Sequence, residues 1–321
     1  MSESELIGSL VLGGVIALLL VGVVRLQMKR RAGFDTPLLR AFCADFGVPP
    51  TDPALRLMGR YLQRSDRFRQ AWTWIGIAAS LGLSFVWRPP SGPTWGLIVF
   101  PPTSNVFLMA LGFWFVGLVR SEMYNLRPRF NGPRLASLEV RGVRHYLPRR
   151  MVVLPRVTAV LALGLVVSNE VLPRPSPHRN VVIALGVLAC VTLLVTEACQ
   201  IGIAQRARPA VSSDIRAADE AIRRMASWSI SYGGAGLITL LAAFEAILVS
   251  VAPLQAPAFQ FHSGSDQSTL GVAVTPYFAR SLFLALSFVL FFWAVGLALQ
   301  ARRMVQPDQR TRGRAAAAML R

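Results

Sequence analysis

The chain has 321 residues, 53% of them hydrophobic, yet it carries a formal charge of +18 from 34 basic and 16 acidic side chains. A mean hydropathy of +0.47 beside that charge excludes an ordinary soluble domain. The basic residues lie between long apolar runs and not in one continuous patch, so nucleic acid is not an expected partner.

Only Lys29 among the basic residues is a lysine, and the Arg-, Ala-, Gly-, Leu- and Val-rich composition points to a GC-rich bacterial source. Cys43, Cys190 and Cys199 are odd in number and give neither a disulfide framework nor a zinc spacing. The predicted fold is all-α: a polytopic membrane bundle of about seven transmembrane helices, N-terminus outside and C-terminus in the cytoplasm.

Residues 1–24 read as a signal-anchor helix with its apolar run at 6–24. They lack a basic n-region and a cleavage site, and Arg25, Lys29, Arg30 and Arg31 follow directly. Ser9, Gly13 and Ala17 recur every four residues, the spacing that lets helix backbones approach in lipid.

Residues 25–70 form a basic amphipathic cytoplasmic segment. Asp52 and Pro53 suit a helix cap and first turn, after which Leu55, Met58 and Leu62 oppose Arg56, Arg60, Arg64 and Arg67. Such a helix fits the anionic inner leaflet of a bilayer, each basic residue near the surface adding about 1 kcal/mol of attraction.

A six-helix region, 71–300, follows, with apolar runs at 71–87, 104–119, 152–171, 180–203, 229–251 and 280–299. Most approach the roughly 20 residues that cross the hydrocarbon. The run at 104–119 is the weakest, because Pro101 and Pro102 separate it from the apolar stretch at 95–100. The six spans read as three hairpins, whose outgoing helices begin near Trp72, Val152 and Ile230. Gly76, Ser80 and Ser84 on the second span, and Ser229 and Gly233 on the sixth, continue the small-residue pattern. Ahead of the sixth span, Ile215, Ala218, Ile222 and Met225 make an apolar stripe beside the i,i+4 pairs Asp219–Arg223 and Glu220–Arg224. Residues 301–321 are a basic cytoplasmic tail.

Orientation follows from charge, since basic loop residues are retained on the cytoplasmic side. The segments proposed as cytoplasmic hold 29 of the 34 Lys and Arg residues. Arg156, one turn into the fourth span, has a stem long enough to reach the inner interface.

Three acids fall within spans: Glu245, Glu197 and Glu170. They are the candidate intramembrane polar site, because a charged carboxylate in mid-membrane costs roughly 2.5–3.5 kcal/mol. Glu245, roughly 20 Å from the inner start of its span, is the foremost candidate for exchanging a proton during transport. Glu197 lies near Thr192, Thr196 and Cys190, and Glu170 is placed in interfacial water beyond Ser168 and Asn169.

No catalytic, cofactor-binding or metal-binding residues are predicted. His145 falls in a cytoplasmic loop and His178 and His262 in outer loops, so no His pair within the spans holds haem or zinc. Asp219, Glu220 and Arg224 resemble the EExxxR motif of CAAX-type membrane proteases, but they lie outside the spans and the intramembrane histidines of that family are missing. No P-loop occurs.

The expected function is therefore a non-enzymatic membrane-embedded subunit or scaffold of the bacterial cytoplasmic membrane, in contact with other proteins. A small-solute transporter or permease, proton-coupled through Glu245, is the alternative. In the topology itself, a reporter fused after Trp95 is expected outside and one after Ser121 inside; a cytoplasmic reporter at Trp95 overturns the span count.

Overall fold

The computed structural model describes residues 36–86, 106–126, 134–135, 142–171, 179–206, 208–209, 212–250 and 269–303. Seven α-helices account for most of them: α1 (Thr36–Asp45), α2 (Asp52–Val86), α3 (Val106–Leu126), α4 (Arg149–Val171), α5 (Arg179–Gln205), α6 (Ser213–Ser250) and α7 (Thr269–Arg303). A 3-10 turn at Val143–His145 precedes α4, and two short strands, β1 (Arg134–Leu135) and β2 (Arg208–Pro209), pair antiparallel. That pairing has no counterpart in the all-α expectation. The run at 6–24 with Ser9, Gly13 and Ala17, and the stretch at 95–100, lie outside the described residues.

Among the described residues, α4, α5 and α6 are long and apolar enough to cross a membrane. Their surfaces differ in kind. On α4, Val153, Val157, Val160, Leu163 and Val167 are exposed at helical spacing, and on α5 Ile183, Val187, Val191 and Leu194 are too. Exposed apolar stripes of this length suit contact with lipid, since water would penalise them. Helix α6 is the reverse: 94% of its apolar window is buried, against 33% for α4 and for α5.

Two helices extend beyond the apolar runs that predict them. Helix α2 starts at Asp52, so the amphipathic segment and the second span form one helix of 35 residues. Helix α6 likewise absorbs the stripe ahead of the sixth span and reaches 38 residues. No proline interrupts the chain between 54 and 86 or between 213 and 250, so nothing in the backbone enforces a break.

The chain divides into two compact units. The first takes in the described parts of Met1–Pro148, Ala198–Ile230 and Gln300–Arg321. Here α1 stops at Gly47, whose φ of +66° is open to glycine without strain. The Val48 N–H donates to Cys43 O at 2.8 Å and the Gly47 N–H to Ala44 O at 3.0 Å, the double closure of a Schellman turn. Helices α2 and α3 approach closely at two glycines. A Cβ at Gly76 would lie 2.5 Å from Met109 O, and one at Gly117 would lie 2.9 Å from Phe68 O. Leu55, Met58 and Leu62 are buried in this unit, as are Ile222 and Met225 of α6.

The second unit takes in the described parts of Arg149–Glu197 and Ser231–Leu299. Its helices meet at small residues: Gly186 of α5 against Val166 of α4, Gly234 of α6 against Thr196 of α5, and Gly236 of α6 against Ala294 and Ala298 of α7. Gly233, named from the sequence pattern, is also buried.

Pro155 lies inside α4 and has no N–H to give the carbonyl four residues back, that of Met151. The Ser231 hydroxyl of α6 donates to that carbonyl instead. Ser231→Ala is therefore expected to destabilise the protein by about 1–3 kcal/mol, the cost of an unsatisfied buried acceptor. Adding Pro155→Ala, which restores the missing N–H, is expected to recover most of the loss. A double-mutant cycle on unfolding in detergent measures both, and additive losses refute the compensation.

Candidate functional site

The second unit separates the three candidate acids by their partners. Glu170, near the end of α4, is gripped by Arg179 at the start of α5, with Nε–H donating to Oε1 at 2.9 Å and Nη2 2.6 Å from Oε2. Toward the other end of the same helix pair, the Arg156 Nε–H donates to Glu197 Oε1 at 2.6 Å. These ion pairs tie α4 to α5 near both ends, and their arginines account for both charges. The guanidinium of Arg156 thus has a specific carboxylate partner.

Glu245 is different. Its side chain is 0% exposed, and neither carboxyl oxygen has a hydrogen-bond partner among the described residues. It faces the backbone of α5 at Gly186, where a Cβ would lie 3.5 Å from Oε1 and 2.6 Å from Val166 Cγ2. The missing side chain at 186 leaves the carboxyl against bare main chain. Around it on α6, the apolar side chains of Leu241, Ala242 and Ala246 are buried.

The threonine hydroxyls of α5 and α6 are already engaged. Thr192 and Thr196 donate to Leu188 O and Thr192 O at 2.8 and 2.7 Å, and Thr239 donates to Ala235 O at 2.7 Å. Each spends its proton on its own helix. What remains is a buried carboxyl without a cationic partner among the described residues, a group that can bind a proton or a cation. Among the described residues no cluster of three His, Cys, Asp or Glu side chains that could hold a metal occurs.

In the first unit, Arg56, Arg60 and Arg67 are exposed, while Arg64 places its guanidinium carbon 4.9 Å from the centroid of the Tyr124 ring. The opposing stripe of Leu55, Met58 and Leu62 is packed against protein, so the basic side of the helix is the one left outside. Ser80 and Ser229 are buried, as packing positions would be. Ser84 lies in α2, and its side chain is outside the described ones. The Arg223 guanidinium is 2.7 Å from Asp219 and also donates to Arg206 O at 2.6 Å. Glu220 is 3.2 Å from His145.

One acid has no place in the sequence-derived set. Glu122, three residues past the apolar run ending at 119, is only 3% exposed and accepts a hydrogen bond from the Tyr61 hydroxyl at 2.7 Å. Phe115 and Leu118, seven and four residues earlier, are buried on the same helical face. Carrying that periodicity past Val119 is the signal that reveals it.

No protein-family model matches the chain, and no characterised protein or solved structure matches it either.

The contrast between acids is measurable as stability. Glu197→Gln leaves Arg156 without its counter-charge and is expected to lower stability by about 1 kcal/mol or more. Glu245→Gln deprives no partner and is expected to change it by less than about 1 kcal/mol. Thermal unfolding of the two variants in the same detergent compares them.

Proposed function

We propose that this chain is a multi-pass protein of a bacterial cytoplasmic membrane, and that it moves a small solute in a proton-coupled cycle through Glu245. The carrying observation is that Glu245 is wholly buried with both carboxyl oxygens unpartnered among the described residues, whereas Glu170 and Glu197 are held by arginines. A partnerless carboxylate in an apolar interior is costly, and binding a proton removes the cost. Two acids ion-paired to arginine beside one with no partner among the described residues is a distribution that suits reversible proton binding at the third.

The proposed topology has seven spans, the N-terminus outside and the C-terminus inside, with the basic loops on the cytoplasmic face. Because α3 runs to Leu126, a reporter placed after that residue avoids interrupting a helix. A second reading, a membrane-embedded scaffold for other proteins, draws support from the exposed Arg56, Arg60, Arg67, Arg144, Arg216 and Arg224 of the first unit. Arginines at this density offer bidentate contacts to acidic protein segments and lipid phosphates.

Purified protein reconstituted into vesicles containing a trapped pH-sensitive dye tests the first reading. With an imposed membrane potential, the wild-type protein is expected to carry protons across, and Glu245→Gln to fall to the rate of protein-free vesicles. Wild-type flux equal to that of empty vesicles, across a panel of amino acids, sugars and organic cations, defeats the carrier. A stoichiometric partner recovered by crosslinking in mild detergent then favours the scaffold.

A further inference from the structure

The first unit contains a second buried acid whose surroundings differ from those of Glu245 in every respect. Glu122 of α3 takes the Tyr61 O–H at 2.7 Å, and Tyr61 is itself only 6% exposed. Beside this contact, Ser65 of α2 and Ser121 of α3 bring their hydroxyls to 3.3 Å, and the Ser121 hydroxyl also contacts Leu118 O at 2.8 Å. The Nε–H of Arg69 donates to Ser65 O at 3.1 Å, which fixes its guanidinium in the same junction. Arg206, beyond the end of α5, adds a second positive charge facing Glu122, and Cys199 of α5 faces it as well.

We propose that Glu122, Tyr61 and the Ser65–Ser121 pair form a second proton-binding site, between the N-terminal half of α2 and the C-terminal end of α3, tuned by Arg69 and Arg206. A proton taken up here adds to a Glu122 carboxylate oxygen and leaves the Tyr61 O–H bond intact, so no other group need change its covalent state. The electrostatic effect reaches further. Uptake deprives Arg69 and Arg206 of a counter-charge. Asp66 lies 3.8 Å from Arg69 and Asp219 lies 4.0 Å from Arg206, so these are the acids left to hold them. Asp219 also holds Arg223 of α6, so the charge on Glu122 is felt from α2 to the start of α6.

The direction of tuning follows from the contacts. Burial is the largest influence and raises the Glu122 carboxyl to about 6, while the Tyr61 hydrogen bond, Arg69, Arg206 and the Ser121 hydrogen bond oppose it in that order. The folded-state value is raised above the ordinary 4.5. The stabilising contribution of this group is thus complete below the ordinary value and is lost as pH rises through about 6. Mildly acidic conditions therefore favour the protonated, more stable form.

Infrared difference spectroscopy on the full chain in lipid nanodiscs tests this as pH is raised. A protonated-carboxyl band is expected to disappear with a midpoint near 6. Glu122→Gln is expected to abolish that transition, and Glu245→Gln to leave it in place, which separates this site from the proposed transport carboxyl. Tyr61→Phe keeps the ring and the acid but removes the hydrogen bond that favours the charged form, so the midpoint is expected to move upward. A midpoint at the ordinary value of 4.5, a transition surviving Glu122→Gln, or no upward movement in Tyr61→Phe overturns the proposal. If Glu122→Gln fails to fold, the Tyr61→Phe shift decides alone.

Discussion

Hydrocarbon offers no hydrogen bonds, and most of the second unit can be understood as an answer to that one constraint. Helices satisfy their own backbones, and the threonines of α5 and α6 return their hydroxyl protons to the preceding turn. Pro155 creates one local debt in the ladder of α4, and a serine on another helix settles it. The acids obey the same rule through Arg156 and Arg179. Among the three candidate acids Glu245 departs from it, with no partner for its carboxyl among the described residues.

The same constraint explains why burial is so unevenly shared. A helix in lipid would lose little by turning leucine and valine outward, and the candidate spans α4 and α5 both expose large apolar side chains. Helix α6 has no such face to spare. Gly234 and Gly236 are consumed by close approaches to α5 and α7, and even Ser227, Ser229, Ser231, Ser250 and Glu245 lie inside. A helix enclosed in this way is the natural location for polar groups, since protein rather than lipid surrounds them.

Much of this architecture was legible in the sequence because apolar periodicity survives in any environment. The runs at 152–171 and 180–203 fall within α4 and α5, and Asp52–Pro53 marks the start of α2. Two things were not legible. Where an amphipathic stretch joins an apolar one without proline or glycine at the seam, hydropathy changes but the helix does not, so α2 and α6 looked like two elements each. Glu122 was hidden for a related reason: an acid just beyond an apolar run reads as solvated, and only Tyr61, sixty-one residues away in sequence, reveals otherwise. For Glu170 and Glu197, pattern alone placed the acids but not the arginines that neutralise them.

The continuity of α2 has a mechanical consequence. At 1.5 Å per residue, its 35 residues make a rod about 52 Å long, well beyond the ~30 Å of a hydrocarbon core. In the proposed topology about 20 Å or more of that rod stands clear of the hydrocarbon. An unbroken helix is a stiff lever, and a tilt of about 10° about one end of a ~30 Å arm displaces the other by about 5 Å. Tyr61 and Arg69 ride on that arm. Any rocking of the membrane-embedded portion would be delivered directly to the junction with Glu122, with no loop in between to absorb it.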